Sequence, residues 1–116
     1  MKSLEITVRT TLLGAANLIR ERGWARRTMQ TDQGAMCIRG AIRRYVAEAS
    51  PKGADPVVCG NLIDDTERAM HERLLLDILP NGFLFNGVCI AVWNDVHCVS
   101  AAQAIAELEA AALEAV

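Results

Sequence analysis

Apolar residues recur along the chain at intervals of three and four, which predicts helices over most of its length. One such stripe runs from Ser3 to Arg22 and predicts a first helix that Ser3 caps and that Gly23 ends. A polar loop of about ten residues follows, and a second helix is expected from about Met36 until Pro51 stops it. The first half of the chain is therefore predicted to contain two helices joined by a loop.

The second half of the chain is expected to add further helices, some of them short. In chain order they are a turn that begins at Pro56 after the cap Asp55, a helix from Asp64 or Asp65 to Leu79, a buried helix over residues 88–95, and a final helix capped by Ser100 and Gln103. The pattern thus predicts an all-α fold, a compact bundle of about five helices in a single domain over residues 1–116.

The segment from residue 82 to residue 93 also allows a second interpretation. Two Asn-Gly pairs bracket the letters FLF, as hairpin turns do, and the run VCIAVW is continuous and rich in β-branched residues. An α+β fold with a small hairpin in this segment is therefore the alternative. We favour the helix, because no other segment alternates with a period of two and an isolated hairpin has marginal stability.

The composition agrees with closely packed helices and restricts the function. Hydrophobic residues make up 52% of the 116 residues but aromatic residues only 4%, so the core must consist mainly of Ala, Leu, Ile and Val. A chain of this length has no room for a cofactor fold beside a substrate domain, and we expect no cofactor. No apolar run is long enough to span a membrane and no targeting peptide is recognisable, so we expect a cytoplasmic protein with reduced cysteines.

Charge is distributed unevenly between the two halves of the chain. Residues 1–50 carry nine basic and four acidic residues, whereas residues 51–116 carry three basic and ten acidic ones. Such asymmetry is typical of a nucleic-acid-binding face, of halves that pack against each other, or of protomers that do so. Four arginines of the basic half are candidates for phosphate binding: Arg26, Arg27, Arg39 and Arg43.

Four motifs resemble a family of small uncharacterised proteins of actinobacteria and their phages. They are LIRERGW at residues 18–24, MCIRGAIRR at residues 36–44, IAVWND at residues 90–95, and a final helix that begins SAAQAIAELEAA at residue 100. The resemblance covers most of the chain and implies no activity, because the family has none assigned. The positions that match the family pattern are Trp24, Cys37, Gly40, Ala41, Trp93, Asn94 and Asp95.

The triplet Trp93, Asn94 and Asp95 is the most specific of these motifs. In the structural interpretation, which we favour, Trp93 fills the core while Asn94 and Asp95 turn the chain and bond exposed backbone groups. In the functional one, the Trp forms the wall of a site in which the Asn and Asp bind a small polar ligand. Trp24 has the same ambiguity, since it either packs onto the helix before it or anchors an interface.

Cysteine and histidine chemistry is the third possibility. Cys37 is the best candidate for a reactive thiol because a helix is expected to begin there, but no motif places a histidine beside it. On a helix, Cys89 and Cys98 point to opposite sides, and no spacing typical of zinc ligands occurs, so we expect no metal even though His97 lies next to Cys98.

Three functions follow, in order of preference. The first is a small non-enzymatic protein that binds another protein, either its own copy or, for a phage-encoded protein, a host protein. The second is a nucleic-acid or nucleotide-phosphate binder that uses the arginine-rich half. The third is an enzyme or metal protein centred on Cys37 or His97.

Overall fold

A computed structural model describes residues 6–77 and 90–115 of the chain. This part of the chain contains no β-sheet and forms α1 (Val8–Arg22), α2 (Ile38–Ala49), α3 (Pro56–Asp77), a π-helix (Trp93–His97) and α4 (Ala101–Glu114). Residues 90–92 are also α-helical and lead directly into the π-helix. The predicted all-α bundle of about five helices is confirmed. Of the alternative hairpin, residues 82–89 lie outside the described residues, and residues 90–93 are helical.

The first helix begins later than the sequence pattern predicts. Its N-cap is Thr7, not Ser3, which lies outside the described residues. The Thr7 side chain accepts a hydrogen bond from the backbone N–H of Thr10, and the Thr10 hydroxyl accepts one from the backbone N–H of Thr7. This reciprocal pair satisfies two N–H groups that a helix start leaves without partners, which explains the later start. The end at Gly23, where φ is +102°, is as predicted.

The third helix is one continuous element where the sequence pattern predicts a short turn and a separate helix. Its start is as predicted, because the Asp55 carboxylate accepts a hydrogen bond from the backbone N–H of Val57 and Pro56 occupies the first helical position. The helix then continues through Asp64 and Asp65, since no proline interrupts the intervening residues. The prediction of a new helix at these aspartates is therefore wrong.

The core is built around α1, which contacts each of the other three α-helices. The buried members of the predicted stripe include Leu12, Ala15 and Ile19, which pack with residues from all of these helices and from the π-helix. The capping of α4 by Ser100 is also as predicted, because its hydroxyl accepts a hydrogen bond from the backbone N–H of Gln103. The other half of the predicted capping box does not form, because the Gln103 side chain accepts its hydrogen bond from the backbone N–H of Val99 instead of Ser100. Among the described residues, no helix has both the length and the apolar character needed to cross a bilayer.

The loop between α1 and α2 is held at its base by backbone hydrogen bonds. The N–H of Met36 donates to the carbonyl oxygen of Gly23, and the N–H of Ala25 donates to the carbonyl oxygen of Met36, both at 3.0 Å. These bonds bring the two ends of the loop together. The residues between them form a closed loop that packs on α2. The predicted polar loop is thus non-helical but has a defined conformation.

Candidate functional site

Asn94 is the centre of a buried hydrogen-bond network that joins three segments of the chain. Its side-chain oxygen accepts hydrogen bonds from the indole N–H of Trp24 at 2.8 Å and from the backbone N–H of Ile38 at 3.1 Å. Its amide nitrogen donates to the carbonyl oxygen of Ala25 at 3.0 Å. The side chain is 0% exposed, so each of these bonds satisfies a polar group that would otherwise be left without a partner in or near the core.

Asp95 continues this network to the surface of the loop. The same carboxylate oxygen accepts two hydrogen bonds, one from the Asn94 amide at 3.0 Å and one from the backbone N–H of Arg27 at 2.8 Å. Arg27 has a φ of +63°, which is unfavourable for a residue with a long side chain. The bond from Asp95 therefore helps to hold the loop in a conformation that its own residue preferences oppose.

The Arg26 side chain links the same loop to the chain segment before α4 by a hydrogen bond. Its guanidinium lies over the ring of Trp24, 5.1 Å from the ring centroid, and donates a hydrogen bond to the carbonyl oxygen of Cys98. Arg26 is thus engaged within the protein and is not a free phosphate-binding group.

The π-helix determines where the side chains of Trp93, Asn94 and Asp95 point. Its defining bond runs from the N–H of Cys98 to the carbonyl oxygen of Trp93 at 2.8 Å, a separation of five residues. Trp93 points into the core and is 1% exposed, and its indole N–H has no hydrogen-bond partner among the described residues. Asn94 and Asp95 point towards the loop, so the triplet forms the corner that the structural interpretation predicts.

Arg39 and Arg43 do not form the exposed phosphate-binding pair that helical spacing suggests. Both guanidiniums bind the carboxylate of Glu67 on α3, Arg39 at 2.8 Å and Arg43 at 3.5 Å. The Glu67 side chain is only 6% exposed, so its charge requires a partner. Helical spacing does not show that α3 places a buried carboxylate opposite these arginines, and phosphate binding by them stays a prediction.

Two shallow clefts lie on either side of Met29, at the edge where the loop rests on α2. One has a volume of about 210 Å³ and the other about 320 Å³, and Met29 lines both. Met29 is 40% exposed and is the only described residue that lines both of these clefts. We call the surface formed by the clefts the Met29 face; its side chains are those of Arg27, Thr28, Met29, Gln30, Cys37, Arg39, Arg43, Arg44, Ala47, Ala91 and Asp95.

The position of Met29 depends on the absence of a side chain at Gly40. A Cβ atom built on Gly40 would lie 1.9 Å from the carbonyl oxygen of Met29, which is far inside van der Waals contact. Gly40 occurs within α2, where glycine is less favourable than alanine by roughly 1 kcal/mol. The absence of a side chain at Gly40 therefore allows the backbone of the loop to pack directly against α2.

Cys37 caps α2 and is not placed as a nucleophile. Its sulfur accepts a hydrogen bond from the backbone N–H of Gly40 at 3.3 Å and lies 3.9 Å from the sulfur of Met29. Burial raises the pKa of the Cys37 thiol above its ordinary value, although the backbone N–H bonds oppose the shift. A thiol in this setting is protonated at neutral pH and reacts slowly.

This setting predicts slow alkylation of Cys37 in the folded protein. At pH 8, iodoacetamide should modify Cys37 at least about tenfold more slowly in the native protein than in urea, because the thiolate fraction is lower and access is restricted. The rate should rise as the pH increases towards the raised pKa of the thiol. Peptide mass mapping over time measures the rate, and equal rates in the two states would contradict the assignment.

The other predicted metal-site residues do not converge. In the described part of the chain, no three side chains of His, Cys, Asp or Glu are grouped so that they can hold a metal ion. His97 is exposed, whereas the other histidine, His71 on α3, is only 7% exposed. Cys89 lies outside the described residues, so the prediction about its direction relative to Cys98 stays a prediction.

Sequence reasoning finds only part of this site. The residues that it misses include Met29, whose exposure has no signal in the sequence, and Glu67. A signal for Glu67 does exist, because it lies three residues before the buried Met70 and so on the apolar stripe of α3. A charged residue on such a stripe indicates a buried ion pair or a site.

Comparison with known proteins gives a family without a function. The model of the family of unknown function DUF6197 matches residues 4–114. No curated protein and no solved structure shows significant similarity to the chain.

Proposed function

We propose that the chain, which belongs to the DUF6197 family of unknown function, is a non-catalytic protein that binds a protein partner through the Met29 face. The observation that carries this proposal is the pair of clefts on either side of the exposed Met29, bordered by arginines. Methionine is frequent at surfaces that bind several partners, because its unbranched side chain adapts to the shape of the partner.

The hydrogen bonding around the site also favours a binding role over a catalytic one. The groups that chemistry requires are already used in the fold: the Asn94 amide on backbone groups, the Asp95 carboxylate on Arg27, and the Cys37 sulfur on the start of α2. These bonds make a rigid support for the loop that carries Met29. Rigid support lowers the entropy lost on binding.

Nucleic acid is the second candidate, and the ion pairs make it less favourable. Glu67 partly neutralises Arg39 and Arg43, and Arg26 is engaged with Cys98. A phosphate backbone is bound by several unpaired cations in a row, whereas among the four candidate arginines only Arg27 has no side-chain partner in the described part of the chain. The resemblance to proteins of actinobacteria and their phages suggests a partner from the bacterial host.

Site-specific photo-crosslinking tests the proposal. A photoreactive amino acid at position 29 should give covalent products with one protein at least about tenfold more abundant than with the same amino acid at position 57, since interface contacts are confined to one patch. Val57 is the matched control because its side chain is 67% exposed and lies in the first turn of α3. A product from position 29 that disappears in excess unlabelled protein would support a specific partner. Equal products from both positions would contradict the proposal.

A further inference from the structure

The arrangement of charge around Met29 carries a more specific conclusion, which rests on the proposed function. We propose that the partner presents an acidic linear segment with one apolar side chain, and that this side chain packs on Met29 while carboxylates bind the arginines at the two clefts.

The charge of the Met29 face supports this partner. Four guanidiniums border the two clefts, those of Arg27, Arg39, Arg43 and Arg44. The acidic groups nearest to them are Glu67, which is buried between two of the arginines, and Asp95, which bonds the backbone of Arg27. Glu48 lies 3.9 Å from Arg44 but is bonded more closely to Arg22. Positive charge therefore exceeds negative charge, although the chain as a whole is acidic.

The side chains available for binding are placed on both sides of Met29. Arg27 donates no side-chain hydrogen bond to any described residue, and the pair from Arg43 to Glu67 is long at 3.5 Å. Arg43 and Arg27 line different clefts, so carboxylates before and after an apolar residue can reach one of them each. Arginine binds carboxylates with two parallel hydrogen bonds and binds phosphates in the same way, so the peptide and DNA arms of the test below separate the two anions.

The dimensions fit a short extended peptide. Arg39 and Arg43 are one helical turn apart, and α2 extends a further turn to Ala47 at the far end of the larger cleft. These two turns span roughly 12 Å, the length of about four extended residues. The lining around Met29 includes Ala47 and the backbone of Gly40, which leaves space for a side chain of moderate size.

Fluorescent peptides of about five residues, a length sufficient for this span, provide the test. The probe has a central leucine flanked on each side by two glutamates. One control peptide replaces the glutamates by glutamines, and the other replaces the leucine by serine. The full chain should bind the probe about tenfold more tightly than either control, and the binding should weaken with added salt.

Variants of the protein test whether the probe peptide binds at the Met29 face. The double variant Arg27→Gln and Arg43→Gln should weaken binding of the probe about tenfold, since it removes one charge from each cleft. The double variant Arg9→Gln and Arg68→Gln is the matched control, because it removes the same charge at two exposed residues that do not line either cleft. Met29→Ser should remove the preference for leucine over serine and retain the preference for glutamate. Thermal unfolding monitored by circular dichroism establishes that each variant is folded.

Three outcomes would overturn the inference. The first is equal binding of the glutamate and glutamine peptides. The second is tighter binding of a DNA oligonucleotide of the same length, which would identify nucleic acid as the ligand. The third is a crosslinked partner, captured at position 29, whose attached segment is not acidic; in that case the proposed function stands and only the nature of the segment is wrong. Absence of a position-specific crosslink would instead contradict the proposed function itself.

Discussion

Replacement of Asn94 by alanine is expected to lower the free energy of unfolding by about 4 kcal/mol, because it leaves several buried polar groups without partners. The indole N–H of Trp24, the backbone N–H of Ile38 and the carbonyl oxygen of Ala25 all lose their bonds to this one amide. A buried polar group without a partner costs about 1–3 kcal/mol. The summed destabilisation is expected towards the lower end for the three groups, because Trp24 is only half-buried. Urea denaturation measures the change.

Asn17→Ala is the matched control for this prediction. Asn17 is exposed on α1 and its side-chain oxygen accepts a hydrogen bond from Arg20, which is also exposed. Its replacement should change the free energy of unfolding by less than about 0.5 kcal/mol. If both variants remain within about 1 kcal/mol of the parent protein, the Asn94 network is not the support that its geometry indicates.

Replacement of Gly40 by alanine is expected to destabilise the protein by about 3 kcal/mol, and the same change at Gly60 to stabilise it by roughly 0.5–1 kcal/mol. Both glycines lie within α-helices, so the gain in helix propensity is the same. The difference lies in the surroundings: a Cβ atom at Gly40 would meet the carbonyl oxygen of Met29 at 1.9 Å, whereas no described atom lies within 4 Å of one at Gly60.

The Gly40 variant also tests the Met29 face, because the loop must move away from α2 to accommodate the new methyl group. Binding at position 29 should weaken together with stability, whereas the Gly60 variant should bind as the parent does. Urea denaturation of the two variants, followed by the peptide titration, gives both quantities. A Gly40→Ala protein that is more stable than the parent would show that the loop does not rest on the helix as described.

The fold was predictable where local pattern and tertiary packing agree. The stripe containing Leu12, Ala15 and Ile19 correctly identifies the buried face of α1, and Ser100 correctly identifies the start of α4. The start of α1 was missed because Ser3 and Thr7 are both good caps, and the choice between them depends on the reciprocal bonds that Thr10 makes with Thr7. The continuity of α3 was missed because aspartate is favourable at helix starts and is also tolerated on the exposed side of a helix.

The candidate site was predictable only in its central triplet. Trp93, Asn94 and Asp95 were recognised as a corner, and the structure shows which backbone groups that corner holds. The arginines were recognised by type, but their partners were not, because Glu67 is 28 residues from Arg39 along the chain. Met29 was not recognised, since exposure of an apolar residue depends on how the loop lies on α2.

By itself, the sequence determined the helical class, most of the helix ends, and the residues that form the corner at Asn94, because periodicity and capping are local properties of the chain. Only the tertiary structure decided which charges are paired and which surface is open. Ion pairs such as that of Arg43 with Glu67, and the contact of Gly40 with Met29, join residues from different elements. Their distances depend on how α2, α3 and the loop pack together, which no local pattern specifies.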